Sequence, residues 1–224
     1  MTTGAPTAEH VNKRHVATEV SHPLLRDGVT RLRNASTPPA EFRQLVKRMS
    51  LLLAYEATKD LAERAVDIQT PLCGTSGHML AQRIGLVPIL RAGLGMVDAI
   101  LDLIPQAEVW HLGIYRDETT LKPVEYYSRL PSTAPVDVAL VLDPMLATGG
   151  SVLAALSTLY DWGVPKIKVL SVIASEEGLR EVETRYPKSQ VFVAAIDPLL
   201  NDQKFIVPGL GDAGDRAFNT LPRP

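Results

Sequence analysis

The stretch VALVLDPMLATGGSVLAALSTL, residues 138–159, changes character twice. Five apolar residues, four of them Val or Leu, read as a strand. An acid, Asp143, ends the run. A turn of small and hydroxylated residues follows, Ala147-Thr148-Gly149-Gly150-Ser151, and then an apolar pattern at helical spacing. Strand, short loop and helix in that order place the loop at the carboxyl end of a strand, where open α/β sheets bind their ligands.

Four more short runs rich in Val, Ile and Leu have the same look: IGLVPIL (84–90), VWHLGIY (109–115), IKVLSVI (167–173) and VFVAAI (191–196). Several are apolar on both faces, as buried parallel strands are. Helical candidates lie between them: LGMVDAILDLI (94–104), SVLAALSTLYDWG (151–163) and EEGLREVETRY (176–186). This alternation predicts an α/β fold with an open, mostly parallel sheet flanked by helices. The loops after the strands then begin at Arg91, Arg116, Asp143, Ser175 and Asp197. KPVEYYSRLP (122–131) alternates less cleanly and reads as an extra hairpin or flap.

Ahead of the sheet, HPLLRDGVTRLRN (22–34) predicts a short helix. PPAEFRQLVKRMSLLLAYEATKDLAERAV (38–66) predicts a long amphipathic one, with Phe42, Leu45, Val46, Met49, Leu52 and Leu53 on one face and Pro38 and Pro39 at its start. Residues 1–20 read as a flexible tail and 21–224 as a single domain. At 224 residues, 46% hydrophobic and 21% charged, the chain supports a folded core.

Composition excludes several function classes. A net charge of −2 gives no general attraction to nucleic acid or anionic lipid, so any anion site is local. No apolar run reaches the ~18 residues of a membrane span. MTTGAPTAEHVNKRH (1–15) lacks the apolar core of a secretory signal. The single cysteine, Cys73, forbids an intrachain disulfide and reads as an incidental thiol. GTSG (74–77) lacks the spacing of a serine nucleophile elbow. A cytoplasmic protein is expected.

The turn at 147–151 has the parts of a phosphate cradle. Glycines let the backbone approach an anion, Thr148 and Ser151 offer hydroxyls, and a helix start adds unpaired N–H groups. It is neither a Walker A loop, which needs G-K-[ST], nor a dinucleotide fingerprint. Asp143 beside it can accept from sugar hydroxyls, so acid plus cradle reads as a ribose 5-phosphate site. The alternative is an ordinary helix capped by Ser151. Gly209-Leu-Gly211-Asp-Ala-Gly214 does match G-x-G-x-x-G, but it stands too near the chain end for a βαβ unit. It reads instead as a loop whose backbone touches a flat ligand. Arg91 in PILRAGLGM (88–96) and Arg116 in IYRDET (114–119) stand at strand ends and offer a clamp for a diphosphate.

Together DPMLATGGS (143–151), VPILRAGLGM (87–96), YRDETTLKPVEYY (115–127) and FIVPGLGDAGDRAFNT (205–220) resemble the uracil phosphoribosyltransferase family, in the family's order. LLLAYEATKDL (51–61) and TPL (70–72) extend the resemblance to roughly residues 20–220. It implies a type I phosphoribosyltransferase fold with a small hood or flap and an N-terminal helical extension. It also implies the conversion of uracil and 5-phosphoribosyl 1-diphosphate (PRPP) to UMP and diphosphate. By position, Arg91 and Arg116 would hold the diphosphate side. Asp143, Pro144, Met145, Leu146, Ala147, Thr148, Gly149, Gly150 and Ser151 would hold ribose and 5-phosphate. Ile206, Gly211, Asp212 and Ala213, within a C-terminal loop of about 197–220, would read uracil. Asp143, Arg116 and Asp212 would carry catalysis. Mg²⁺ would be the cofactor, held through the diphosphate and water near Asp212 rather than by a direct protein ligand set. A homodimer or homotetramer and a GTP effector are further implications; nucleic acid and membranes are not expected partners.

Three positions depart from the family pattern. Phe205 stands where tyrosine is common, Asn219 replaces the glycine of a more usual FGT, and the chain ends in proline rather than a lysine-containing tail. Pro144 is ordinary for the family, although many related transferases carry a second acid there. The rival reading is a PRPP- or UMP-sensing regulator of the same fold without turnover, disfavoured because no clustered basic face is present.

Overall fold

Val138–Leu142 is buried at every position, as a strand covered on both faces must be. Around it the computed structural model describes residues 17–116, 123–128, 130, 131 and 134–220. The amino-terminal part contains β1 (Ala17–Glu19), α1 (Pro23–Arg33), α2 (Pro39–Ala57), β2 (Glu63–Gln69) and β3 (Gly74–Leu80). The middle contains β4 (Ile84–Leu90), α3 (Leu94–Leu103), β5 (Glu108–Val109), β6 (Leu112–Arg116), β7 (Pro123–Ser128), β8 (Val138–Leu142) and β9 (Met145–Leu146). The carboxyl-terminal part contains α4 (Gly150–Trp162), β10 (Lys166–Ser175), α5 (Glu176–Arg185), β11 (Gln190–Asp197), β12 (Leu199–Leu200), β13 (Ile206–Val207) and α6 (Ala213–Phe218).

The main sheet runs β1-β11-β10-β8-β4-β6-β7, with β5 on β4 and β9 on β10. Its pairs are parallel except β6 with β7. One face is covered by α1, α2, α3 and α6, through Leu25, Phe42, Met49, Leu53, Met96 and Ala213. The other is covered by α4 and α5, through Val152, Leu156, Leu159, Leu179 and Val182. Each large side chain so buried contributes roughly 1.5–3 kcal/mol.

Two excursions leave the sheet centre in opposite directions. β4 leads through α3 to β6, and β8 leads through α4 to β10, although β4 and β8 are neighbours. The order reverses between them, which opens a crevice beyond Leu90 and Leu142. That is where Arg91 and Asp143 stand.

Three boundaries differ from the sequence reading, and the expected hairpin or flap takes shape. The amphipathic helix stops at Ala57, and Glu63–Gln69 instead pairs antiparallel with Gly74–Leu80. Helical spacing persists past Ala57, but Asp60 is drawn down to Lys166 and Lys168, and the chain turns away from the core. The run 109–115 splits into β5 and β6, both paired in parallel with β4, with Trp110 and His111 between them. The flap segment supplies β7, an antiparallel edge strand; its connection to β6, residues 117–122, lies outside the described residues. Ala17–Glu19, expected within the tail, pairs in parallel with Val191–Val193. Residues 1–16 lie outside the described residues.

Lys168 is an unusual core residue, 1% exposed on β10. Its ammonium donates to Ala57 O, at the end of α2, and to Asp60, and lies 5.7 Å from the Phe192 ring centroid. A cation at a helix carboxyl end complements the dipole. Burial nevertheless pulls its pKa below the ordinary lysine value.

Candidate active site

β8 ends at Leu142, and the chain then steps aside. Pro144 O accepts from Val172 N (3.0 Å) and Ile173 N (3.1 Å), and the chain rejoins the sheet as β9 beside Ile173 and Ala174. This detour makes room for the loop that follows. Gly149 is the N-cap of α4 with φ +82° and ψ −13°, a left-handed conformation that favours glycine. It has no side chain to offer the first turn. The nearby Thr148 Oγ1 lies 3.5 Å from Gly150 N, at the limit of hydrogen bonding. The helices α5 and α6 differ: Ser175 caps one and Asp212 the other through side-chain oxygens. Ser151, the cap of α4 in the alternative reading, instead sits inside the helix. The start of α4 thus keeps its backbone donors for an anion. Asp143, Met145–Gly150, Ser151 and Val152 line a small cavity of about 40 Å³ there.

The loop has a rigid backing. Ser175 Oγ donates to Ala147 O (2.5 Å) and accepts from Gly178 N (2.9 Å). A Cβ on Gly178 would collide with Ala147 O, so α5 can press against the cradle only with glycine there.

Asp143 stands at the mouth. Burial pushes its carboxyl pKa up to about 7; a hydrogen bond from Met145 N opposes this, and the charge of Asp212 adds to it. Asp212, in the hood of residues 197–220, therefore lies near enough to Asp143 for its charge to act on it. Asp212 Oδ1 accepts from Asp215 N at 2.8 Å, and Asp212 and Gly211 are exposed at the crevice side of α6. Ala213 and Ile206 are buried beneath them.

Arg91 joins the same cluster. Its Nη2 lies 3.0 Å from Asp215 Oδ1, and its Nη1 lies 3.4 Å from Thr220 Oγ1. The Thr220 hydroxyl, 2.6 Å from Asp215 Oδ1, holds the Asp215 carboxyl below its ordinary range, and Arg91 reinforces this. The Arg91 side chain stays 57% exposed, so its guanidinium is both anchored and reachable. Gly93 keeps the loop close: a Cβ there would run into Leu142 O. Two peptide bonds near the crevice are cis, Leu90–Arg91 and Val207–Pro208.

The structure therefore gathers Arg91, Asp143–Ser151 and Asp212 around one crevice. Ile206, Gly211 and Ala213 belong to the loop on its far side. Arg116 closes β6, one strand beyond β4, and only its backbone is described. Among the described residues no three His, Cys, Asp or Glu side chains cluster as a metal cage. Two carboxylates facing one crevice nevertheless suit a hard cation that keeps most of its water and substrate oxygens. Sequence reading gives no role to Ser175, Asp215 or Thr220. The Ser-Glu-Glu opening of α5 is an N-cap signature and was the available signal for Ser175.

Comparison with known proteins bears on the same residues. A family model described as uracil phosphoribosyltransferase matches residues 19–220. A uracil phosphoribosyltransferase of Roseiflexus castenholzii is 59% identical over 201 residues, covering 89% of this chain and 96% of that one. One from Geobacillus kaustophilus is 49% identical over 200 residues, with the same two coverages. The solved structure of the AQ2163 protein from Aquifex aeolicus superposes with a TM-score of 0.86 at 38% identity, covering 90% of this chain and 97% of that one. With the family model spanning nearly all the described residues and relatives this similar, the chain belongs to the uracil phosphoribosyltransferase family.

Proposed function

We propose that the chain transfers the 5-phosphoribosyl group of PRPP to uracil, giving UMP and diphosphate. The observation that carries this reading is the α4 start, whose N-cap Gly149 offers no side chain, with Asp143 lining the same small cavity and the hood acid Asp212 near it. Backbone N–H groups of 147–151 and the Thr148 and Ser151 hydroxyls hold the 5-phosphate. Asp143 accepts from the ribose hydroxyls. Arg91 and Arg116 take the diphosphate, whose charge grows as the bond to the anomeric carbon breaks. Mg²⁺, when bound, supplies further charge neutralisation on the diphosphate. Asp212 faces the donor through water.

Uracil sits under the hood, read by the backbone of Ile206 and Gly211–Ala213. A turn of peptide groups pairs with the carbonyl and N–H edge of uracil and leaves a base with an exocyclic amine mispaired. The chemistry needs positioning and electrostatics more than a strong base. Residues 21–224 act as one catalytic unit, with 197–220 as its base-reading part.

The β2–β3 hairpin supports assembly as a homodimer or homotetramer. It leaves the body of the chain with Ile68, Leu72, Met79 and Leu80 between 47% and 93% exposed. Light scattering of the purified chain decides this. Among the described residues no helix is long and apolar enough to cross a membrane. The exposed free thiol of Cys73 suits the reducing cytoplasm. GTP as an effector is tested by its effect on the rate.

The deciding experiment mixes the purified chain with uracil, PRPP and Mg²⁺ and looks for UMP, with cytosine, hypoxanthine and orotate as controls. UMP formation from uracil alone is the expected result. Absence of UMP, or equal use of another base, overturns the reading.

A further inference from the structure

The two stretches assigned to uracil, Ile206 and Gly211–Ala213, are joined by a tight turn that is gripped from outside the hood. Arg33, the last residue of α1, donates from Nη1 to Asp197 Oδ2 (2.7 Å) and from Nη2 to Asp197 Oδ1 (2.6 Å). Its Nη1 also donates to Gly209 O at 2.9 Å. Asp197 Oδ2 accepts from Gly209 N at 3.0 Å. The backbone N–H and C=O of Gly209, one from each of its flanking peptide units, are therefore engaged by one ion pair. Asp197 is 3% exposed, so this pair works in a weakly screened place.

The neighbouring peptide is held as well. Leu210 O accepts from Arg216 Nη1 at 2.7 Å. The same guanidinium reaches Leu32 O, and Asn34 O at 2.7 Å. Leu32, Arg33 and Asn34 are consecutive, so the end of α1 is a jig on which the turn is seated. Gly209 has φ +60°, and a Cβ there would collide with Ile206 O. The turn has no slack of its own.

We propose that Arg33 and Asp197 are positioning residues for base recognition, fixing the Gly209 peptide so that Ile206 and Gly211–Ala213 meet the uracil edge in register. This rests on the reading of that loop as the base site. Backbone groups have no rotamers with which to correct an error, so a displaced turn carries its displacement to the base. The N-terminal helices then belong to the recognition apparatus, although they do not touch the base.

The test uses Arg33→Lys, which keeps the charge and loses the planar fork, and Asp197→Asn, which keeps the shape and loses the pair. Each is measured by steady-state kinetics with uracil varied, by calorimetric titration with PRPP and Mg²⁺, and by thermal melting. The expected result is a rise of about tenfold in KM for uracil, with PRPP affinity held within about twofold, as misregistered contacts at one subsite predict. Equal losses for both substrates, or an unchanged KM for uracil in both variants, overturn the proposal; a lower melting temperature alone also does so. Ala213→Val, which crowds the base directly, separates the two readings. If it leaves uracil use unchanged, the base-loop reading falls. If it raises KM for uracil while Arg33→Lys and Asp197→Asn behave normally, only the positioning role falls.

Discussion

Replacing Asp143 with asparagine removes a carboxyl that burial, aided by Asp212, holds at about 7 in the free protein. At pH 6.5 a group of that pKa is protonated in roughly 0.8 of the molecules, and at pH 8.5 in about 0.03. Ribose hydroxyls donating to the carboxylate favour its ionised form, so binding PRPP expels the proton. Calorimetric titration in buffers of different ionisation enthalpy counts that release. PRPP phosphates and Mg²⁺ also move protons, but they do so equally in Asp143→Asn. The difference between the two proteins should be roughly 0.8 proton at pH 6.5 and near zero at pH 8.5. The same shift has a sign for stability. The folded state holds this proton between about pH 4 and 7 while the unfolded chain does not, so this site's contribution falls as pH rises through that window. The full shift corresponds to at most about 4 kcal/mol, less because the carboxyl edge still meets water. Asp143→Asn should flatten that slope. Equal proton release by both proteins at pH 6.5 would refute the placing of Asp143 against the ribose.

Other perturbations address separate parts of the fold. Ser175→Ala takes away the hydroxyl between Ala147 O and Gly178 N; KM for PRPP should rise about tenfold for a stability cost of about 1 kcal/mol, and unchanged kinetics would remove α5 from the cradle's support. Arg116→Ala should weaken PRPP use by tenfold or more, as loss of a charge-assisted contact does, with melting unchanged; wild-type kinetics would take it out of the site. Lys168→Met should lower stability by about 2 kcal/mol, because Ala57 O loses its buried partner. It should leave kcat/KM alone, since about 20 Å of strand separates Lys168 from Ser175; a catalytic defect would contradict that separation.

Much of this layout was readable in residue order. Strands buried on both faces gave near-continuous apolar runs; of the five expected loop starts, Arg91 and Asp143 directly follow strands of the main sheet, and Arg116, Ser175 and Asp197 are the last residues of theirs. The loop at 147–151 was readable because its small residues stand in sequence between an apolar strand and a helix. The β2–β3 hairpin was not, because ERAVDIQ continues a helical spacing that only the turn at Lys59–Asp60 interrupts, and that turn depends on lysines about a hundred residues away. The grip of Arg33 on Asp197 was invisible for the same reason: nothing local marks a pair so distant in the chain. Asn219 shows the reverse. It departs from the family's glycine, yet its φ of +58° lies in the left-handed region, where asparagine is the best tolerated side-chain-bearing substitute.

The hairpin also gives the experimenter an address. Cys73 is the sole thiol of the sequence, and it sits exposed at the tip, beside the 93% exposed Leu72. A maleimide dye or spin label attached to the unaltered chain therefore lands on one known spot, the hairpin tip. Energy transfer or dipolar distances between such labels on two copies would measure arm-to-arm spacing without a single engineered substitution.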